Sequence, residues 1–334
     1  MRKPSRPRTA RRDSRHWISL IATACFALLA AADDVARSEP APPARLGFLA
    51  DGPRGFVFDT GVLRGRLHAE GKSLGLTEVV HVPSGTRMDH GYGLLSHYRV
   101  FTRGVRYGAG AWDWPSEAVL RGDGSVAIRF ATEGRPFSLV AVYRVAAADT
   151  VEVETQVVAG TDMKGFETFL ASYFDAAFTN AAVWVKGRDG ARWAAALPEQ
   201  GDWQMFVRDS AARGVVEDGR WRLGPHPVAW TFPFELAGEA AQARRMASGR
   251  GVGASFRASL RECFAVAMPH QTESHYSVYF SLFGRDLKAG ESATATVRLS
   301  FQSETGREQT NASPSAVVSG NSPWIPVPSH ASSL

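Results

Sequence analysis

Residues 139–157 read LVAVYRVAAADTVEVETQV. Apolar residues run together in Leu139–Val145 and alternate with polar ones in Val151–Val157, and the turn Ala148-Asp149-Thr150 lies between them. β-branched and aromatic residues on both sides of a short polar turn are typical of paired antiparallel strands. With Ser125–Phe130 before it, the stretch predicts a three-stranded antiparallel meander.

Strand patterns also mark the end of the ordered region. Tyr276–Phe283 is strongly apolar, and the turn Lys288–Ser292 leads from it into Ala293–Phe301, where apolar and polar residues alternate. A period of two places alternate side chains on one face of a strand. Glu235–Met246 has helical propensity, so that helix and strand both stay open there. The sequence thus predicts an all-β fold, a large antiparallel β-sandwich of two packed sheets.

The first 32 residues have the pattern of a secretory signal peptide. Basic residues from Arg2 to Arg15 precede the apolar run 17–29, and the small residues 30–32 follow it. This order is typical of a cleaved signal. An uncleaved membrane anchor is the alternative, because the run approaches the length that spans a bilayer. The protein is therefore predicted to be periplasmic or secreted, and the export route, general or twin-arginine, stays open.

Composition divides the remaining chain into three parts. Residues 33–44 form a Pro-rich spacer, residues 45–302 a single β-domain, and residues 303–334 a tail rich in Ser, Thr, Asn and Pro. The tail has no run that could bury an apolar face, so disorder is expected there. A domain of this length is within the range of one large sandwich.

The charge balance excludes several classes of partner. The full chain has 38 Lys and Arg and 33 Asp and Glu, and the first 32 residues hold seven and one of these, which leaves 31 against 32. A nearly neutral mature protein offers no electrostatic surface for nucleic acid or anionic membranes. Cys263 is the only cysteine after the leader, so no internal disulfide forms and a buried thiol is expected.

The stretch Arg87–Phe101 and the nearby Trp112-Asp113-Trp114 hold more polar and aromatic groups than a plain strand needs. Planar aromatics stack on the C–H faces of sugars, and charged side chains bind vicinal hydroxyls. The predicted ligand-binding residues are Asp89, Tyr92, Arg99, Arg106, Trp112 and Trp114. The alternative is that both tryptophans fill the core.

A second polar cluster lies at 268–276, where Glu273 and His275 point to the same side of an extended segment. Together with His90 and His97 they are the predicted catalytic residues, an acid and a base for one ligand. A solvated loop before a strand is the plainer alternative. No zinc spacing or carboxylate-rich calcium loop occurs, so no metal and no cofactor are predicted. Nucleophile elbows, phosphate loops and dinucleotide fingerprints are also absent from the sequence, which argues against serine hydrolases and nucleotide enzymes.

The chain resembles the galactose-mutarotase-like supersandwich superfamily. The resemblance depends on the strand order, on Phe166–Phe174 and on the closing hairpin Asp286–Glu291. Asp89–Leu95 also resembles the histidine-containing segment of the PmoA-like family, which has paired histidines where this chain has His90-Gly91. What the resemblance implies is a concave sheet face that holds a sugar ring.

These observations predict an exported carbohydrate-binding β-sandwich with oligo- or polysaccharide as the partner. One alternative is an acid–base enzyme acting on sugars, an aldose epimerase or a polysaccharide lyase. Another is a structural envelope protein, whose polar groups would be scattered over the surface. Convergence of residues 89–99 and 270–276 on one face would favour a site.

Overall fold

The computed structural model describes residues 46–69, 74–246, 251–270 and 276–304. The predicted signal peptide, the spacer, and the tail beyond Glu304 lie outside these ranges. In chain order the strands are β1 (Leu49–Ala50), β2 (Gly55–Asp59), β3 (Leu63–His68), β4 (Gly75–His81), β5 (Thr86–Arg87), β6 (Ser96–Thr102), β7 (Val105–Arg106), β8 (Ser116–Leu120), β9 (Val126–Phe130), β10 (Phe137–Ala147), β11 (Thr150–Ala159), β12 (Met163–Tyr173), β13 (Asn180–Gly187), β14 (Gly190–Ala195), β15 (Trp203–Val207), β16 (Ala240–Arg245), β17 (Gly251–Ala258), β18 (Cys263–Pro269), β19 (Ser277–Leu287) and β20 (Ser292–Glu304).

The strands form three sheets. The first has the order β1-β2-β3-β4-β5, the second is nine-stranded with the order β14-β13-β16-β17-β20-β11-β10-β9-β8, and the third is six-stranded with the order β15-β18-β19-β12-β6-β7. Paired strands run antiparallel, and the predicted meander is present, since Leu139 lies opposite Phe130 on one side and Val157 on the other. The predicted all-β antiparallel sandwich is confirmed.

One apolar core joins the three sheets. It contains Leu67 of the first sheet, Val153 and Leu299 of the nine-stranded sheet, and Leu170 and Phe280 of the six-stranded sheet, all buried. Alternation along each strand places these side chains on the inner face. Burial of apolar area in this core is the main favourable contribution to folding.

The central strand β12 buries both of its faces. Leu170 and Phe174 belong to the core between the sheets, whereas Phe169 and Tyr173 belong to a second cluster on the opposite face of the six-stranded sheet. A strand covered on both sides has a nearly continuous apolar sequence, as Phe166–Phe174 has apart from Glu167, Thr168 and Ser172. The six-stranded sheet is therefore covered on its outer face too.

Within the ambiguous segment Glu235–Met246, residues Ala240–Arg245 form strand β16. β16 pairs with β13 on one side and with β17 on the other. Its Arg244 side chain is fully buried and donates from Nη1 to the Phe178 carbonyl at 2.7 Å and from Nη2 to the Ser277 carbonyl at 3.0 Å. Tertiary pairing thus overrides the local helical propensity.

A short α-helix, α1 (Ser210–Val216), begins after Asp209. The Asp209 carboxylate accepts a hydrogen bond from the Ala212 amide at 2.8 Å, which satisfies a free donor of the first turn. Short 3-10 turns lie at Val82–Ser84, Ala111–Asp113, Pro198–Gln200 and Arg220–Arg222. None of the helices in the described ranges is both long enough and apolar enough to cross a bilayer.

Candidate functional site

The outer face of the six-stranded sheet carries a group of aromatic side chains that we call the outer aromatic cluster. Its members are Tyr98 and Phe101 on β6, Phe169 and Tyr173 on β12, Tyr279 on β19, and Trp112, Trp221 and Trp230 from loops. The Phe169 and Tyr279 rings stack with centroids 4.9 Å apart. Ligand-binding pockets in proteins are typically lined by apolar and aromatic side chains, with a few polar groups among them.

A β-bulge in β6 turns Tyr98 and Arg99 toward this cluster. His97 lies opposite Leu170 and Val100 opposite Thr168, so that β6 has two residues where β12 has one. An extra residue of this kind changes the direction of side chains beside it. Consequently the Arg99 guanidinium lies 4.9 Å from the centroids of both the Tyr98 and Trp221 rings.

Tyr92 is the exposed ring at the edge of the cluster. It stacks on Trp112 with centroids 4.8 Å apart and planes at 6°, and Trp112 also stacks with Tyr98 at 4.1 Å and 10°. Trp112 is buried, whereas Tyr92 is 51% exposed. One face of the Tyr92 ring lies on Trp112, and about half of the residue stays exposed to solvent. Trp112, predicted as a stacking residue, instead supports Tyr92.

Hydroxyl groups lie in the centre of the cluster. The Ser277 hydroxyl donates to the Tyr279 hydroxyl at 2.8 Å, and Tyr279 donates to the Tyr173 hydroxyl at 3.5 Å. Burial raises the pKa of Tyr279, and burial together with the charge of Tyr279 raises the pKa of Tyr173 well above its ordinary value. Both phenols are therefore protonated at neutral pH and suited to donate hydrogen bonds rather than to remove protons.

Residues 208–237, which we call the cover segment, lie over the outer aromatic cluster. Val207 of β15 pairs with Glu235 at one end of the segment, and Trp221 packs on Phe169 with centroids 4.7 Å apart. Two arginines of the sheet hold its middle: Arg99 donates to the His226 carbonyl at 2.8 Å, and Arg106 donates to the carbonyls of Leu223 and Pro225. The sheet and the cover segment thus enclose the cluster from both sides.

A buried group of three charges anchors the cover segment. The Arg220 side chain is fully buried and donates to Glu167 at 2.9 Å and to Asp218 at 3.0 and 2.8 Å. The Ser281 hydroxyl donates to the other Glu167 oxygen at 2.8 Å. Burial raises the pKa of Glu167, and the Arg220 charge opposes that rise. This ion triad uses all of its charges internally, so we assign it a structural role.

Asp89 and Arg106, two predicted ligand-binding residues, bind backbone groups. The Asp89 carboxylate is buried and accepts from the amides of Glu78 at 3.0 Å and Val79 at 2.7 Å. Besides the cover segment, Arg106 donates to the carbonyls of Gly108 and Ala109. In this structure both side chains hold the backbone rather than face a ligand.

Trp114 and His97 point into the core between the sheets. Trp114 is 4% exposed and packs against Phe130, in agreement with the core-filling alternative. His97 is 1% exposed, and its Nε2 lies 2.8 Å from the Thr155 hydroxyl of the nine-stranded sheet. Neither residue reaches the outer face, so the ligand and acid–base roles predicted for them have no support here.

The burial of His97 predicts a pH dependence of stability. Burial lowers the pKa of His97 to about 3 from an ordinary value near 6.5, so the unfolded chain binds this proton first as the pH falls. Its contribution to the free energy of unfolding is complete above pH 6.5 and declines by up to about 1.4 kcal/mol per pH unit toward pH 3. Urea unfolding of wild type and His97→Gln at pH 7, 6 and 5 should show their difference shrinking as the pH falls. Parallel pH profiles of the unfolding free energy for wild type and His97→Gln would contradict this expectation. The control is His226→Gln, which replaces an exposed histidine.

The end of β12 is hydrogen-bonded to the turn that holds His90 and to Tyr276. The His90 amide donates to the Tyr173 carbonyl at 3.0 Å, and the Phe174 amide donates to the Tyr276 carbonyl at 2.9 Å. His90 is exposed in the same turn as Tyr92. Glu273 and His275 lie outside the described residues, so their catalytic roles stay predictions. Within the described ranges, no three His, Cys, Asp or Glu side chains come together as a metal site would require.

Several residues of the site do not stand out in the sequence. Glu167, Phe169, Ala171 and Tyr173 alternate along β12, and a carboxylate within such an apolar strand signals a buried partner. That signal could have found Glu167 and Tyr173. Arg220, Trp221 and Trp230 come from an irregular segment and carry no local pattern that places them over the sheet.

No family model matches this sequence, and no curated protein matches it either. Among solved structures, the chain is similar to a galactose 1-epimerase from Lactobacillus acidophilus, at 11% identity over 78% of this chain and 100% of that one with a TM-score of 0.44. It is also similar to an aldose epimerase homologue from C. elegans, at 9% identity, 78% and 100% coverage and a TM-score of 0.46. A heparan sulfate lyase mutant from Pedobacter heparinus matches at 7% identity, 82% and 40% coverage and a TM-score of 0.42.

Structures of galactose-mutarotase-related and aldose-epimerase proteins are thus among those that the chain is similar to. The PmoA-like resemblance finds no support among the comparisons. At such TM-scores and identities, the likeness carries no argument about ligand or reaction.

Proposed function

We propose that this protein binds carbohydrate at the edge of the outer aromatic cluster, with Tyr92 as the stacking residue. The observation that supports it most directly is the half-exposed Tyr92 ring, held parallel to the buried Trp112 at 4.8 Å. A large exposed aromatic in a fixed orientation costs little side-chain entropy when a ligand binds. Sugar rings offer apolar C–H faces that match such a surface.

The surroundings of Tyr92 suit a polar ligand with one apolar face. The Tyr92 ring also contacts Tyr173, with centroids 5.3 Å apart, and the Tyr173 hydroxyl belongs to the hydroxyl group in the cluster. Rings with a few polar groups among them are the common composition of sugar and small-molecule sites. This combination favours a glycan over a purely apolar ligand.

Replacing Tyr92 should test the proposal. Tyr92→Ala removes the exposed ring and is expected to weaken glycan binding by about 1–2 kcal/mol, while Tyr92→Phe keeps the ring and most of the affinity. Tryptophan fluorescence titrated with a panel of neutral and acidic oligosaccharides would measure both. If no member of a broad panel binds, or if Tyr92→Ala binds as wild type does, Tyr92 is not a sugar platform.

An acid–base enzyme acting on sugars is the second candidate. It is favoured by the exposure of His90 in the same turn as Tyr92, because an imidazole at that place can exchange protons with a bound ligand. The same panel distinguishes the two functions. Anomeric exchange seen by NMR, or absorbance of an unsaturated uronate, that His90→Ala abolishes would favour the enzyme, whereas binding without turnover would favour the binding protein.

We also propose that the protein acts outside the cytoplasm, in the periplasm or after secretion. The support is the order of basic, apolar and small residues over positions 1–32. Intact-mass analysis of the exported protein should give an N-terminus near Asp33. Recovery of a full-length chain from the membrane fraction would argue for an anchor instead.

A further inference from the structure

Arg99 is a buried cation whose donors are mostly unused. Its side chain is 4% exposed, and only Nη2 donates, to the His226 carbonyl at 2.8 Å and to the Tyr98 hydroxyl at 3.3 Å. Nε and Nη1 have no hydrogen-bond partner among the described residues. A guanidinium removed from water costs several kcal/mol unless acceptors replace its hydration. Buried donors without partners therefore call for an explanation.

The neighbouring Arg220 gives the comparison. It too is buried against the outer aromatic cluster, yet its Nε, Nη1 and Nη2 atoms all donate to carboxylates of Glu167 and Asp218. Arg99 has no carboxylate partner within the part of the chain that the structure describes. The same sheet face thus holds one arginine that is neutralised internally and one that is left with positive charge and free N–H groups.

Two indole groups share this condition, Trp221 beside Arg99 and Trp230 packed on Trp221. Their Nε1 atoms are buried and have no hydrogen-bond partner among the residues that the structure describes. The Trp221 ring lies 4.9 Å from the Arg99 guanidinium, and the Trp230 ring is 5.0 Å from Trp221. Indole and guanidinium groups donate only. The unused polar atoms of these three side chains are therefore all donors, in a place of net positive charge.

We infer that the outer aromatic cluster is a binding site for an acidic sugar, whose anionic oxygens are bound by Arg99 and by the indole N–H groups of Trp221 and Trp230. The inference rests on the proposed carbohydrate function and specifies its ligand class. A carboxylate or a sulfate ester accepts several hydrogen bonds and donates none, and charge-assisted bonds from arginine are the strong ones. A neutral sugar would bring hydroxyl groups that leave the guanidinium charge uncompensated.

A series of ring contacts joins Tyr92 to Arg99. Tyr92 stacks on Trp112, Trp112 stacks with Tyr98, and the Tyr98 ring lies 4.9 Å from the Arg99 guanidinium. The exposed loop 224–227 of the cover segment lies next to Arg99. Arg99 Nη2 holds this loop by donating a hydrogen bond to the His226 carbonyl. An anion would replace that carbonyl as an acceptor when the loop lifts.

Six sugars matched at C6 test the ligand class. They are glucose, galactose, their uronates and their 6-sulfates. Within the glucose and the galactose series, the members differ only in whether C6 is a hydroxymethyl carbon, a carboxylate carbon or a sulfate-ester carbon. Ligand-observed NMR should show wild type binding at least one anionic sugar about 10- to 100-fold more tightly than its neutral parent, the effect of one or two charge-assisted hydrogen bonds. Comparison of the uronate and sulfate series identifies which anion is recognised.

Three variants assign the preference to the site. Arg99→Gln should abolish the preference for anionic sugars, and Trp230→Phe, which keeps an aromatic ring but lacks the N–H, should reduce that preference about 3- to 10-fold. Arg298→Gln makes the same change of net charge at an exposed position and should keep it. Equal binding of neutral and anionic sugars, or a preference that survives Arg99→Gln and Trp230→Phe, overturns the inference. Failure of all six sugars overturns it too, and the Tyr92 oligosaccharide panel then decides the proposed function separately.

Discussion

Replacing Arg220 with methionine is expected to lower the free energy of unfolding by about 3–5 kcal/mol. The substitution leaves Glu167 fully buried at the centre of the six-stranded sheet with only the Ser281 hydroxyl as a partner. It also frees Asp218, so that the cover segment loses its anchor. Urea unfolding followed by far-UV circular dichroism measures the change.

The control is Arg298→Met, which removes an exposed arginine paired with Glu152 at 3.1 Å. Exposed ion pairs contribute about 0–1 kcal/mol, so this variant should be nearly as stable as wild type. Adding Glu167→Gln to Arg220→Met should restore part of the loss, because the uncompensated charge is then absent. Equal stability of the Arg220 and Arg298 variants would show that the ion triad makes no net contribution.

Replacing Gly93 with alanine should be nearly as damaging, at about 2–5 kcal/mol, from backbone strain and overpacking together. Gly93 has a φ of +75°, and a Cβ atom there would lie 2.6 Å from the carbonyl oxygens of Leu74 and Leu76. Its carbonyl also accepts from the Tyr173 amide at 2.9 Å. A shift of this backbone would displace the adjacent Tyr92, so glycan affinity should fall along with stability.

Gly91 provides a control two residues away. It also has a positive φ, +59°, but a Cβ there would meet no atom within 4 Å. Gly91→Ala should therefore show the conformational strain alone, about 1–2 kcal/mol. Comparison of the thermal unfolding of the two variants separates the cost of the positive φ from the cost of the close contacts with Leu74 and Leu76. If they lose the same stability, the close approach of Leu74 and Leu76 does not matter.

The sequence could predict the sheets because alternation is a local property. The strands of the meander 125–157 and the strand 293–301 each bury one face. Apolar residues at every second position indicate such half-buried strands directly in the sequence. The Glu235–Met246 segment could not be assigned in this way, since its strand depends on pairing with β13 and β17. Local propensity carries no information about such distant neighbours.

The site was only partly predictable for a similar reason. Tyr92 and Arg99 could be selected by their chemistry, and both lie at the outer aromatic cluster. Trp112 and Trp114 share a sequence pattern, yet one supports Tyr92 and the other fills the core, because a 3-10 turn at Ala111–Asp113 breaks the alternation between them. The cover segment supplies Trp221 and Trp230 from more than a hundred positions beyond Arg99, which no local pattern could reveal.

The extra residue in β6 means that the charge of the outer aromatic cluster depends on the number of residues in this strand as well as on their identity. Deletion of Tyr98 or Arg99 would restore regular pairing with β12 and leave one residue on the outer face where there are now two. Loss of the tyrosine position would break the line of rings from Tyr92, and loss of the arginine position would leave an uncharged aromatic wall. A single-residue deletion in β6, like a substitution of Arg99, would therefore change the capacity of this surface to bind charged ligands.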